Sequence, residues 1–339
     1  MDTVDIVPVD PADEDLLADL HRLHHAVHAA DRPDHPRPLW KPFLARVRQD
    51  NREVRTELLA ARVDSQLVGR AMIGWPIIDN RHLAQFDLEV IPSHRRRGVG
   101  RAMLAQVRHR AQQEQRRTLI TGANRPVPGG PPRSEAGARF LAAMGFSVAL
   151  ASMWRRVDLT AVDLADEQRL LADCLPRAAG YELLTWTGPT PEPLAGGVAQ
   201  LVNRLMTDAP TGELAIEDST LDAERLHADE QASMDRGTHL VGVVARHRET
   251  GEVAAHTRFD VRPPGDHGTI WVTIADPRHR GHRLGTIVKI EAHRLVRETF
   301  PGLQHIYTGN ADENAHMVAI NERLGYRPVE AAILYQLNQ

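Results

Sequence analysis

The residues with the plainest chemical purpose are Arg95-Arg96-Arg97-Gly98-Val99-Gly100. They follow an apolar, strand-like run at 83–90 and Pro92. They open an amphipathic stretch, 99–115, with apolar residues at Val99, Met103, Leu104 and Val107. A strand that ends in a turn and starts a helix aims successive backbone N–H groups at one point, where the helix dipole favours negative charge. Glycine lets the backbone approach a phosphate with no Cβ in the way, and flanking arginines, Arg101 included, add charge-assisted bonds. The segment reads as an anion site for a phosphate or pyrophosphate. It is not a dinucleotide fingerprint, because the third glycine and the acidic ribose ligand are missing, and no Gly-Lys-Ser/Thr follows to make a P-loop.

The same unit recurs. Ile274-Ala275-Asp-Pro-Arg-His-Arg280-Gly281-His282-Arg283-Leu284-Gly285 repeats the apolar run, proline, basic turn and helix-opening glycine. Pro92 and Pro277 lie 185 residues apart, as do Gly100 and Gly285. A second pair, Gly145-Phe146 and Gly325-Tyr326, follows at an offset of 180. Two motifs recurring in order at nearly one offset make the chain a tandem duplication. In the second turn Arg283 replaces the first motif glycine, where its Cβ could obstruct a phosphate or its guanidinium could bind one.

Other residues could move protons. Glu89 stands on the strand before the first turn, as a general base acting directly or through a water, or as an outward-facing carboxylate paired with an arginine. The second copy has asparagines at Asn310, Asn314 and Asn321, with Asn314 equally able to cap a helix and Met317 able to serve as core. His21, His25 and His28 share a helical face, with His24 beside them. No carboxylate or cysteine stands at ligand spacing, so they are expected at the surface or in a substrate pocket, and no metal is expected.

The elements that must position these groups follow from periodicity and breakers. In the first half, strands are expected at 5–9, 56–63, 67–75, 83–90, 118–122 and 148–157, the last closing the sheet. Helices are expected at 13–29, 40–48, 99–115 and 135–144, with a Pro/Gly-rich loop at 125–132. The second half repeats the order, with strands at 181–186, 240–247, 253–261, 269–274, 305–308 and 330–337. Its helices are expected at 193–206, 223–236, 284–299 and 316–324. The result is a mixed α/β sheet in each of two domains, 1–158 and 181–339, joined by a partly helical connector, 159–180.

Composition agrees. The chain has 339 residues, 42% hydrophobic and 25% charged, which excludes a disordered chain. A net charge of −4 and 4% aromatic residues exclude a base-stacking nucleic-acid surface. Only Lys41 and Lys289 are lysines, so nearly all cations are arginine. A single cysteine, Cys174, excludes a disulfide framework. No apolar run approaches the roughly 18 residues that span a bilayer, and the acidic N-terminus is no signal peptide. A soluble cytoplasmic protein is expected.

Arg95-x-x-Gly98-x-Gly100, with the preceding strand and the later helix ending at Gly145, resembles the pyrophosphate-binding motif of the GCN5-related N-acetyltransferase superfamily. The resemblance covers nearly the whole chain, once per half, and the two-domain architecture is similar to that of mycothiol synthase. It implies two central strands that splay apart around acetyl-CoA as acyl donor, in two domains forming an internal pseudo-dimer. Pantetheine would pair with the backbone around Val90 and Ile91, or around Ile274 and Ala275, and the pyrophosphate would sit on the turn. A backbone N–H near a strand bulge would polarise the acetyl carbonyl, and a small-molecule primary amine would attack directly in a ternary complex. The family's tyrosine, which protonates the leaving thiolate, is replaced by Leu141 in the first half and Asn321 in the second. With its intact turn, the first half is expected to carry catalysis. The alternative is a degenerate protein that keeps only the donor or the fold.

Overall fold

The computed structural model describes residues 3–48, 53–208, 212–215, 220–263, 265–310 and 314–339. The chain opens with strand β1 (Asp5–Pro8) and helix α1 (Glu14–Asp31), whose first turn is fixed by Asp13 accepting from Leu16 N–H at 3.0 Å. Leu17, Leu20, Leu23 and Val27 form its buried stripe. After α2 (Trp40–Arg48) come β2 (Val54–Val63) and β3 (Gln66–Pro76). These make a hairpin whose two loop residues, Asp64 and Ser65, both take positive φ, matching the strands' right-handed twist. Then follow β4 (Leu83–Val90), α3 (Val99–Gln113), β5 (Thr118–Arg125), α4 (Ala136–Ala143) and β6 (Ser147–Asp158).

The second half begins with α5 (Leu164–Cys174), capped by Asp163, and continues through β7 (Tyr181–Thr187), α6 (Glu192–Asp208) and α7 (Ala223–Asp235). The series β8 (His239–His247), β9 (Val253–Arg262), β10 (His267–Ala275), α8 (Leu284–Thr299), β11 (His305–Asn310), α9 (Ala315–Arg323) and β12 (Arg327–Asn338) completes it. Every expected element is present. The main difference is that β5 runs past Gly122 to Arg125, because Ala123, Asn124 and Arg125 pair with Ile333, Ala332 and Ala331.

That pairing also reorganises the sheets. The chain divides into two compact units that interleave along the sequence. The first unit comprises Met1–Ala151, Thr211–Glu217 and Glu330–Gln339; the second comprises Ser152–Pro210 and Asp218–Val329. The first unit's strands run β1-β2-β3-β4-β5-β12, so the strand added beside β5 comes from the far end of the chain. The second unit runs β6-β11-β10-β9-β8-β7, with Met153–Asp158 of β6 antiparallel to β11. The expected closing strand, 148–157, therefore sends its C-terminal part into the other unit. Both exchanged strands mix apolar and polar residues without a strict alternation, and such a pattern does not say which edge a strand will join.

In each unit one parallel pair opens like a V. β4 and β5 pair only at Leu83–Gln85 with Thr118–Ile120, and β10 and β11 only at His267–Ile270 with His305–Thr308. α3 covers a core that includes Ile73, Trp75, Val99, Met103 and Leu141, and α1 and α2 close the opposite face over Leu58, Ala60 and Met72. In the second unit α8 lies on Val241, Val243, Phe259 and Ile306.

Candidate functional site

The first turn has the shape an anion needs. Pro92–His94 forms a short 3-10 turn, Arg96 and Gly98 take φ of 64° and 92°, and the Gly98 carbonyl accepts from Ala102 N–H at 3.0 Å to start α3. Among the described residues no backbone group accepts from the N–H groups of Arg96, Arg97, Gly98, Val99, Gly100 or Arg101, which leaves them for an anion in a nest-like turn. A Cβ on Gly98 would meet nothing within 4 Å. Arg96, Arg97 and Arg101 are exposed. Arg95, expected to bond phosphate oxygens, turns the other way. Its Nε donates to the Val90 carbonyl at 3.0 Å and its two terminal nitrogens donate to Asp31 at 2.8 Å each, so it ties the turn to the end of α1.

The second turn has the same backbone. Gly281 and Arg283 take φ of 86° and 59°, so the first unit's Arg-x-Gly pair of positive φ values becomes Gly-x-Arg. Arg283 does not distort the backbone path: its carbonyl accepts from Thr286 and Ile287 N–H at 3.1 Å and starts α8 at Leu284, with Gly285 one residue further. The flank differs, however. Exposed His282 donates from Nδ1 to the Arg177 carbonyl at 2.7 Å, and the Tyr181 hydroxyl lies 2.8 Å from His279 Nδ1. Arg280 is exposed.

The strand ends differ more. On β4, Glu89 lies between buried Arg70, whose Nε donates to it at 2.6 Å, and His24 of α1, whose Nδ1 is 2.8 and 3.0 Å from the two carboxylate oxygens. Arg70 Nη2 is also 2.9 Å from that Nδ1. Burial alone would raise the Glu89 pKa, but the Arg70 charge and the His24 hydrogen bond outweigh it and hold the group at about 2. Glu89 is thus an arginine-paired carboxylate whose second partner is His24. In the second unit the register puts Ile274 opposite His256 where the first has Glu89 opposite Arg70. Ile274 joins Leu201 and Val272 in an apolar cluster, Ala275 is half-buried, and His256 is stacked on Trp186 with burial pushing its pKa down to about 3.

The expected bulge is found in the second unit only, at Trp271 between Ile270 and Val272 of β10. The β3–β4 register runs without a shift from Gly74–Gln85 to Gly69–Val90, and Ile91 N–H is occupied by the Val68 carbonyl at 3.0 Å. The free edge of β4 beyond Gln85 is what faces the V.

The asparagines of the second unit hold one another. Fully buried Asn321 accepts from Lys289 Nζ and donates to Asn310 Oδ1 at 3.1 Å, and Arg155 donates to the same oxygen at 3.1 Å. Lys289 is completely buried, 4.9 Å from the Tyr326 ring centre, and desolvation lowers its pKa to about 7. Asn321 is buried in the core, and both ends of its amide are taken by Lys289 and Asn310. Asn314 caps α9 by accepting from Met317 N–H at 3.1 Å, and Met317 packs on the core.

One cluster escaped the sequence reading altogether. Arg133, wholly buried, bonds Asp34 and the 1%-exposed Glu330, which also takes Arg32, so the 126–135 loop and the start of β12 are latched to the segment after α1. Beside it His35 is pushed down to about 2 and His28 to about 4, by burial first and then by Arg32. The signals available were Arg70, a lone charge in the apolar stretch Leu67–Trp75, and Lys289 in Ile-Val-Lys-Ile. A cleft of about 360 Å³ between α6 and the β8–β9 turn pairs its own charges, Arg204 with Asp276 at 2.8 Å and Arg278 with Glu252 at 3.3 Å.

The splayed strand pair, followed by a nest and a helix and present in both units, defines an acyl-CoA-type acetyltransferase fold. The chain belongs to the acetyltransferase (GNAT) family, whose model matches residues 17–126 and 201–326. No curated protein sequence matches it. Among solved structures it is similar to a tandem GNAT protein from the clavulanic acid biosynthesis pathway, at 26% identity and a TM-score of 0.82, covering 99% of this chain and 98% of that one. A GCN5-related N-acetyltransferase from Sphaerobacter thermophilus shares the fold at 13% identity and a TM-score of 0.67, over 99% and 95% of the chains. So does Saccharomyces cerevisiae N-myristoyltransferase with bound myristoyl-CoA, at 11% identity and 0.57, over 100% and 79%. The protein is an acyltransferase of tandem GNAT architecture. No described helix is long and apolar enough to cross a membrane.

Proposed function

We propose that the first unit transfers an acetyl group from acetyl-CoA to a primary amine of a small molecule, and that the second unit does not catalyse. The observation that carries this is the asymmetry at the end of the opened strand. The first unit combines an open nest with the ionisable set Glu89, Arg70 and His24, where the second has Ile274, Leu201 and Val272. In this reading the nest at Arg96–Arg101 holds the pyrophosphate and the free edge of β4 pairs the pantetheine. The amine nitrogen, once it has lost a proton, attacks the thioester carbonyl. The C–N bond forms, the C–S bond breaks, and the second amine proton leaves with the thiolate as free thiol.

The test is a matched pair of charge insertions. Asp tolerates positive φ better than most residues, and neither Gly98 nor Gly281 has an atom within 4 Å of a new Cβ. Gly98→Asp puts a carboxylate in the first nest and should weaken calorimetric acetyl-CoA affinity well over tenfold and abolish thiol release. Gly281→Asp should leave thiol release unchanged. The opposite pattern would move catalysis to the second unit.

A further inference from the structure

We propose that His24 accepts the proton from the acceptor amine, held in place by Glu89 and Arg70. This rests on the reading that the first unit carries the transfer. The geometry begins with α1, whose buried stripe turns His24 toward the ends of β3 and β4. Nδ1 sits 2.8 and 3.0 Å from the Glu89 oxygens and 2.9 Å from Arg70 Nη2; we assign the ring's hydrogen to Nδ1, donating to the carboxylate, which leaves Nε2 as the ring's acceptor. Arg70, 6% exposed, grips Glu89 at 2.6 Å and fixes that carboxylate in turn, while His24 keeps 22% of its side chain exposed. A base oriented through its other nitrogen by a half-buried carboxylate is an arrangement that makes imidazole an effective proton acceptor in other enzymes. Glu89 is the poorer base of the two, because Arg70 and His24 already hold both its oxygens and keep its proton affinity well below the usual carboxylate range. The charged and titratable groups around His24 are His21, His25 and His28 on α1, Arg32 next to His28, Arg70 on β3 and Glu89 on β4. Histidine Nε2 then carries the amine's proton to solvent, so the step needs no further reactant.

Thiol release from acetyl-CoA is followed with putrescine, glucosamine and glycine ethyl ester as acceptors, across pH, in the full-length protein. His24→Gln should keep acetyl-CoA affinity, lower kcat/KM by about 10²–10⁴-fold and erase the acidic limb of the pH profile. Glu89→Gln should keep acetyl-CoA affinity and lower kcat/KM by a smaller factor than His24→Gln, because the ring loses the partner that orients it. Should Glu89→Gln not fold for want of a partner to Arg70, Glu89→Asp, which keeps the charge but draws it back from the ring, should lower kcat/KM in the same direction with acetyl-CoA affinity kept. A His24→Gln enzyme with full rate and an intact acidic limb would overturn the proposal while Gly98→Asp still abolishes turnover. If Gly98→Asp also leaves turnover unchanged, or if no amine releases thiol, the functional reading itself falls with it.

Discussion

Replacing Lys289 by Met should stabilise the second unit and remove a pH dependence. Lys289 is fully buried on α8, and its counterpart 185 residues earlier is Leu104, a core residue of the first unit. Burial moves its pKa from 10.5 to about 7. The unfolded chain therefore binds the proton more tightly than the folded one. Stability from this group is highest above pH 10.5, falls as pH drops through that value, and stops falling below about 7. Each pH unit between those two values costs about 1.4 kcal/mol, so the full cost below pH 7 is about 5 kcal/mol, and the part recovered between pH 7 and 9 is about 2 kcal/mol. Met removes the ionisation and fills the space, but leaves the Asn321 oxygen without its donor, a loss of about 1–3 kcal/mol. The net gain at pH 7 is about 2–4 kcal/mol. Urea unfolding at pH 7 and 9, read by hydrogen exchange of α8, gives both numbers. An unchanged gain between pH 7 and 9 in Lys289→Met would show that the lysine keeps its proton when buried, and the desolvation argument would be wrong.

Other perturbations probe the first unit. Glu330→Ala strips wholly buried Arg133 of one partner and should cost about 3–5 kcal/mol, whereas the double replacement Arg133→Met with Glu330→Leu should cost far less; thermal melts decide between them. The latch histidines should make the unit acid-labile. Since His28 and His35 refuse protons that the unfolded chain takes up near pH 6.5, stability should fall as pH drops from 6.5 toward 4. His35→Asn should flatten that slope by about 1.4 kcal/mol per pH unit in urea titrations.

The turns were legible because their chemistry is local. A proline, a basic run and a glycine at a helix start force a nest wherever they occur, and both copies fold alike even though glycine and arginine trade the two positive-φ positions. What the sequence concealed was partnership. Glu89 reads either as a base or as a carboxylate paired with some arginine, and only the β3–β4 register names Arg70 while α1 brings His24, 65 residues away, to its other side. Arg95 reads as a phosphate ligand until Asp31 claims it. Asn321 fits a family position by spacing, yet a helix face, which spacing alone does not orient, turns it into the core toward Lys289.

The exchange of β12 has a bearing on how the protein is made. β5 is complete at Arg125, but the residues that pair with it, 331–338, leave the ribosome roughly 200 residues later, about 10–40 s at ordinary synthesis rates. Throughout that interval the nascent first unit presents the bare edge of β5, the sort of edge that recruits stray strands. Its latch also waits on Glu330. The domain that is translated first is therefore the one that must finish last, and a stop codon within the final ten positions would cripple the beginning of the protein rather than its end.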